Sequence, residues 1–236
     1  MKKIIFFVSL VILIIGIAIG IIVIKQNSKK DITNLRNFDV DLTNINKVMF
    51  VAHPDDDMIW GGSHLIDDDY LVVCITCGAR ADRVEEFKNV MDATNDKYIM
   101  LDYPDKTNGE RDNWNTVYDD ITKDVEQILA MKDWELIVTH NEDGEYGHIH
   151  HKMTHNIVTD IYQDNYLDKN NLYFFGKYYK ADKIDEVKFE LTEIPEENYN
   201  KKNDIIYKYY TSQKSVADGL SHMFKYENWD KYHSEV

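Results

Sequence analysis

Residues 47–57 read Lys47-Val48-Met49-Phe50-Val51-Ala52-His53-Pro54-Asp55-Asp56-Asp57. Val48 to Ala52 form a short apolar run of strand formers, and the chain then passes at once into one histidine and three aspartates. In open parallel sheets, sites form where loops leave the carboxyl ends of strands, so this junction predicts both a strand and a site. Similar apolar runs recur at Tyr70 to Thr76, Tyr98 to Leu101 and Trp134 to Thr139. Between them lie stretches of helical period: Arg83 to Thr94, Val117 to Met131 and His148 to Tyr162. Continuous apolar strands alternating with amphipathic helices predict an α/β fold with a mostly parallel sheet covered by helices on both faces. Further on, Leu172 to Phe175 reads as another strand, Val187 to Ile194 alternates as an edge strand does, and Asn203 to Tyr210 opens a C-terminal helix.

The chain of 236 residues has room for one domain and an appendage. Ile4 to Ile24 carries no charge and is long enough, at about 1.5 Å per residue, to cross the roughly 30 Å of a bilayer core. A cleaved signal peptide is the competing reading, with Ala18-Ile19-Gly20 as its cleavage site. Apolar residues continue past that point to Ile24, which favours an uncleaved transmembrane helix. The expected organisation is an anchor over 1–25, a linker over 26–46 and one domain over 47–236. The tiny basic tail before the anchor points to an extracytoplasmic domain.

Acidic residues number 42 against 27 basic ones, and Lys2, Lys3, Lys25, Lys29 and Lys30 flank the apolar run. A domain this acidic is a poor partner for nucleic acid. Cys74 and Cys77 are the two cysteines. Odd spacing in a strand-like run points them to opposite faces, so they read as core thiols and neither a disulfide nor a shared metal site.

The chemistry concentrates in two loops. The first is His53 to Asp57. The second leaves the run ending at Thr139 and passes through Asp143-Gly144-Glu145-Tyr146-Gly147 to His148-Ile149-His150-His151. A hydrolytic zinc takes three protein ligands of histidine and carboxylate type and keeps a position for water, whose pKa it lowers towards 7. His53, Asp56 and one histidine of the second loop make such a set. His148 and His151 are three apart at a helix start and face one side, so one can ligate while the other serves the substrate. Asp55, beside Asp56, is the natural general base. By contrast, Asp67-Asp68-Asp69 reads as a turn or cap. His64, His222 and His233 read as surface histidines, and His140 and His155 as support or packing.

Ala52 to Asp56 with Gly61-Gly62 resembles the opening motif of the PIG-L/LmbE-like N-deacetylases, AHPDDE. Thr139 to His151, with Gly144, Gly147, His148 and His151, is similar to that family's GxxGHxxH motif. Thr76-Cys77-Gly78, Arg83 with Glu86, Leu101 to Asp105 and Ser212-Gln213 also fit its pattern. The resemblance implies a Rossmann-like fold and removal of acetyl groups from N-acetylglucosamine units in glycolipids, thiol precursors or antibiotics; the expected anchor favours a glycolipid or cell-envelope glycoconjugate. The resemblance also implies one divalent ion, zinc, on His53, Asp56 and His151, with Asp55 as base and His148 as electrophile or acid. Tyr146 matches a tyrosine that some members bring to the tetrahedral intermediate, and Arg83 a substrate-binding arginine. Two positions depart from the pattern. Asp57 replaces the closing glutamate, so that a supporting hydrogen bond must be weakened or rebuilt. His150 stands where Asp or Asn is common, and it alters the charge near the metal or offers a spare ligand. A non-catalytic glycan-binding member, or a hydrolase of another amide, is the alternative.

Overall fold

The computed structural model describes residues 38–233. The predicted anchor, and with it the choice between anchor and signal peptide, lies outside the described residues. Among the described residues, no helix is long and apolar enough to cross a membrane.

Strands β1 (Lys47–Val51), β2 (Tyr70–Thr76) and β3 (Lys97–Tyr103) alternate with helices α1 (Asp56–Asp67) and α2 (Ala81–Thr94). A small hairpin, β4 (Lys106–Thr107) with β5 (Glu110–Arg111), precedes α3 (Tyr118–Leu129), β6 (Leu136–Thr139), α4 (Ile149–Asn165) and β7 (Leu172–Phe174). Helices α5 (Glu196–Tyr209) and α6 (Lys214–Leu220) and a last short strand, β8 (Asp230–Lys231), complete the domain.

The main sheet has the order β3-β2-β1-β6-β7-β8, with every pair parallel except β7 and β8. The α/β fold predicted from the alternation is therefore the one observed. Strand order runs outward from β1 in one direction to β3 and in the other through β6, so the switch of direction falls between β1 and β6. Both ligand-rich loops leave the carboxyl ends of these two strands, the location where such sheets bind ligands.

Alternation along β1 explains the two cores. Met49 and Val51 pack with Met58, Ile59, Phe87, Ile205 and Ile206 on one face, whereas Val48 and Phe50 pack with Ile121, Val125, Ile157 and Val158 on the other. Phe38, Val40 and Leu42, in the lead-in, also lean on the second core.

The expected edge strand over 187–194 does not form. Ile184–Val187 is a helical turn, continued by Lys188 N–H to Ile184 O and Glu190 N–H to Val187 O. The segment joins neither end of the sheet, β3 or β8, and among the described residues its strand-like pairing is an isolated bridge from Glu193 to Tyr226. Phe189 is left 77% exposed. Cys74 is a core thiol as expected. Cys77, however, lies past the end of β2 in a left-handed conformation (φ 71°) and faces the cleft described below.

Candidate metal centre

His53, at the end of β1, and Asp56, in the first turn of α1, form the first half of the site. Asp56 Oδ2 accepts from His53 N–H at 2.8 Å and lies 3.2 Å from His53 Nδ1. The second half arrives on α4. His148 is the N-cap of that helix and His151 sits one turn in, with ring centroids 4.5 Å apart. His151 Nε2 is 3.2 Å from Asp56 Oδ1. The ligand atoms of His53, His148 and His151 are mutually within 4.8 Å, as are those of Asp56, His140 and His151.

Tautomers decide which of these can hold an ion. His151 Nδ1 is bonded to the buried carboxylate of Glu145, so Nδ1 carries the hydrogen and Nε2 presents a lone pair. That Nε2 is buried and has no hydrogen-bond partner. A bare imidazole nitrogen facing a carboxylate oxygen at 3.2 Å needs a cation between or beside them, so the donor set fits a divalent ion. Without the ion a proton does that work. Burial disfavours charge on His151, but Asp56 and Glu145 outweigh it and lift the imidazole to about 10. Burial likewise opposes ionisation of Asp56, but His151 and His53 hold it well below the usual carboxylate range.

His140 has no spare lone pair. Its Nε2 accepts from Ala52 N–H at 3.0 Å and its Nδ1 donates to Glu145 at 3.0 Å, which places it in the support role read from sequence. His155 in turn donates from Nδ1 to His140 O. His148 Nδ1 accepts from His150 N–H at 3.2 Å, so its hydrogen is on Nε2 and the ring is a neutral donor rather than a ligand. Burial and the nearby His151 hold His148 down at about 2.

Asp55 is 6% exposed and has φ 129°, ψ −31°, a strained conformation for a residue other than glycine. Three contacts fix the strained loop. Asp55 N–H donates to Asp57 Oδ1 at 3.0 Å, and the Tyr210 hydroxyl lies 2.8 Å from both Asp57 oxygens. The Arg83 guanidinium holds Pro54 O. The hydrogen bonding around the shortened Asp57 is thus rebuilt by Tyr210. Burial and the adjacent Asp56 push Asp55 up to about 8, and burial pushes Asp57 up to about 7.

Arg83 is 2% exposed. Besides Pro54 it binds Ser212 Oγ at 2.8 Å and lies 3.6 Å from Asp55 and 3.5 Å from Glu86, which itself accepts from Ser212 N–H and Oγ–H. These contacts make Arg83 a brace for the Asp55 loop, with little of its surface open to a ligand. Tyr146 is 41% exposed, its ring 6.0 Å from that of His148. Partial burial, with Asp56 and Asp55 nearby, raises its pKa, so the hydroxyl stays protonated.

His53, Asp55, Asp56, Tyr146 and His148 line a cleft of about 320 Å³, whereas His151 lies fully buried behind them. Arg80, Lys106, Arg111 and Gln213 form its outer wall. A larger cleft of about 700 Å³ lies beside His155, Thr159 and Tyr232, away from the cluster.

Sequence reasoning missed Glu145, Tyr210 and Asp105. Glu145 has φ 52° between two glycines of positive φ, Gly144 (61°) and Gly147 (95°). An acidic residue inside a glycine-flanked turn next to histidines is the signal that was available. His64, read as a surface histidine, stacks on Trp229 at 3.6 Å and bonds Glu227 at 2.9 Å.

An α/β sheet with a histidine and aspartate cluster at its switch point defines the class of protein. The family model PIG-L, GlcNAc-PI de-N-acetylase, matches residues 48–162. An uncharacterized protein of Acanthamoeba polyphaga mimivirus is 31% identical over 191 residues, covering 72% of this chain and 79% of that one. The chain belongs to the PIG-L family. Among solved structures, the A40926 pseudoaglycone deacetylase Dbv21 is similar with a TM-score of 0.57 at 16% identity, over 77% of this chain and 87% of that one. GalB, the 4-carboxy-2-hydroxymuconate hydratase from Pseudomonas putida KT2440, has a TM-score of 0.50 at 14% identity, over 81% of this chain and 98% of that one. These likenesses concern the fold. One fold that carries both a deacetylase and a hydratase leaves the reaction to be argued from the site.

Proposed function

We propose that the chain is a metal-dependent N-deacetylase that hydrolyses the acetamide of an N-acetylglucosamine-type sugar in a glycolipid or cell-envelope glycoconjugate. The observation that carries this reading is the buried Asp55 carboxyl, held in a strained loop directly beside Asp56, whose two oxygens lie 3.2 Å from His53 Nδ1 and 3.2 Å from His151 Nε2. A glycan-binding module has no use for a base placed there at such backbone cost. Family membership supports the choice of an amide of an amino sugar.

His53, Asp56 and His151 would hold the ion, zinc by the character of its two nitrogen donors. Such an ion, when bound, polarises the acetamide carbonyl and makes water acidic enough to be deprotonated near neutral pH. The raised Asp55 carboxyl would be drawn back towards ionisation by a cation held by Asp56, and the ionised Asp55 takes the proton from the attacking water. His148, neutral with its hydrogen on Nε2, donates a hydrogen bond to the oxygen of the carbonyl as negative charge develops there, and the Tyr146 hydroxyl at the rim adds a second donor. A neutral His148 has no proton to give up easily, so Asp55 returns the one it took to the leaving amine. Arg83 and the Tyr210–Asp57 pair keep Asp55 in place throughout. An anchor over residues 4–24 would tether this chemistry at the membrane, where lipid-linked sugars are concentrated.

The test is acetate release by the full-length chain from free and lipid-linked N-acetylglucosamine derivatives. Acetate and free amine should appear, stop on chelation and return with zinc. Tight zinc binding with no product from any N-acetylated sugar would instead favour a glycan-binding member, and product formation indifferent to chelation would remove the metal from the account. Protease accessibility on intact cells reads out the side of the membrane.

A further inference from the structure

A second group of ligand atoms lies on the far side of the His53 ring. His53 Nε2 is 3.1 Å from His150 Nδ1 and 3.3 Å from Asp105 Oδ1, and these last two atoms are 3.8 Å apart. Three structural elements supply them: the loop after β1, the start of α4 and the turn between β3 and β4. An ion with bonds of about 2.0–2.1 Å and tetrahedral angles spaces its donor atoms about 3.3–3.4 Å apart. The observed separations bracket that spacing.

His150 is oriented for ligation. Its Nε2 donates to the backbone carbonyl of Asp112 at 2.7 Å, which fixes the hydrogen there and leaves Nδ1 as a bare lone pair aimed at His53 and Asp105. The ring is fully buried and stacked on Trp114 at 4.2 Å with an 8° interplanar angle, so it has no freedom to turn that lone pair elsewhere. The cluster therefore brings a lone pair, a carboxylate and an imidazole nitrogen together, and such a group requires a cation or a shared proton. Arg111, about a third exposed, pairs with the same Asp105 oxygen, so an ion bound there would have to displace its guanidinium.

We propose that His53, Asp105 and His150 form a second divalent-cation site, next to the first and sharing His53 with it. The two ions would sit on opposite nitrogens of one imidazole, Nδ1 towards Asp56 and Nε2 towards His150. The second ion replaces the proton that His53 Nε2 shares with His150, and that proton leaves to solvent. Two nitrogen donors and one oxygen select zinc, cobalt or nickel over magnesium and calcium. Nothing in this site depends on what the cleft cleaves.

The experiment is a metal count. Full-length wild type, His150→Asn and Asp105→Asn are stripped with a chelator and equilibrated at a series of buffered free-zinc concentrations, and bound zinc per chain is measured by mass spectrometry. Wild type should reach one more zinc per chain than either variant, with the first equivalent unchanged in all three. In a parallel cobalt titration, the second equivalent should add visible absorption in wild type and none in the variants. Equal stoichiometry in wild type and variants, whether one or two, overturns the site, because the extra ion is then absent or held by other residues. Asp105 is a partly exposed loop side chain, so Asp105→Asn decides the matter even where His150→Asn fails to fold.

Discussion

Glu145→Gln tests how the proposed ligand His151 is held. The Glu145 carboxylate is buried and bridges two imidazole N–H groups, His140 Nδ1 at 3.0 Å and His151 Nδ1 more closely still. Burial opposes its ionisation, yet the two histidines hold it down at about 2. Both imidazoles share Oε2, and Oε1 accepts from Asn141 N–H at 3.1 Å. Glutamine must set its NH2 against both imidazoles or, turned over, against Asn141 N–H, and in either case the charge that keeps the hydrogen of His151 on Nδ1 is lost. The alternative tautomer of His151 puts the hydrogen on Nε2, the atom that faces Asp56. Losing a hydrogen bond to a charged group costs about 1.5–3 kcal/mol. That is the same scale as the 10–100-fold loss of metal affinity, about 1.4–2.7 kcal/mol, expected when the partner of a ligating histidine is removed. The assay is zinc affinity by competition with a chromophoric chelator, wild type against Glu145→Gln, with turnover measured at saturating zinc. Affinity should fall by about 10–100-fold while saturating zinc restores much of the rate. Equal affinity within twofold would refute the assignment of His151 Nε2 as a ligand atom.

Two other perturbations probe the frame around the site. Tyr210→Phe removes the hydroxyl that serves both oxygens of the fully buried Asp57; it should cost about 1–3 kcal/mol in urea unfolding and lower turnover without lowering zinc content. Unchanged stability would mean that Asp57 is held by other contacts. Asp96 accepts from Tyr70 N–H at 2.7 Å, and burial raises its carboxyl from 3.8 to about 7. The folded state thus favours the protonated acid, so this contribution to stability is complete below pH 4 and is lost as pH rises through about 7. Asp96→Asn does not titrate. Its stability relative to wild type should therefore improve between pH 4 and 8 by on the order of a few kcal/mol. A difference between the two proteins that is the same at both pH values would contradict the shift.

Much of the site could be read from the sequence because its signals are local. The strand from Val48 to Ala52 and the proposed ligands His53 and Asp56 are contiguous, and the apolar run ending at Thr139 leads within twelve residues to His151. Parallel topology then brings the two loops together at one sheet edge, which periodicity alone predicts. What stayed hidden depends on distant partners. Tyr210 reaches Asp57 across 153 positions, and Asp105 meets His53 only because the turn after β3 folds back over the sheet edge. Arg83 carries a family signature, but its burial against Pro54 and Ser212 is a property of packing. The alternation over 187–194 failed as a strand signal for a different reason: local turn bonds, from Lys188 N–H to Ile184 O and from Glu190 N–H to Val187 O, took backbone groups that a ladder would have used.

The central claim is that Asp55 is the base of a metal-dependent amide hydrolase. Its most direct test is Asp55→Asn, assayed for bound zinc and for acetate release from N-acetylglucosamine derivatives in the same preparation. Asparagine keeps the size and the backbone N–H contact to Asp57 but cannot accept a proton, so zinc content should match wild type while turnover falls by about 10²–10⁴-fold. Wild-type turnover in the zinc-loaded variant would contradict the account.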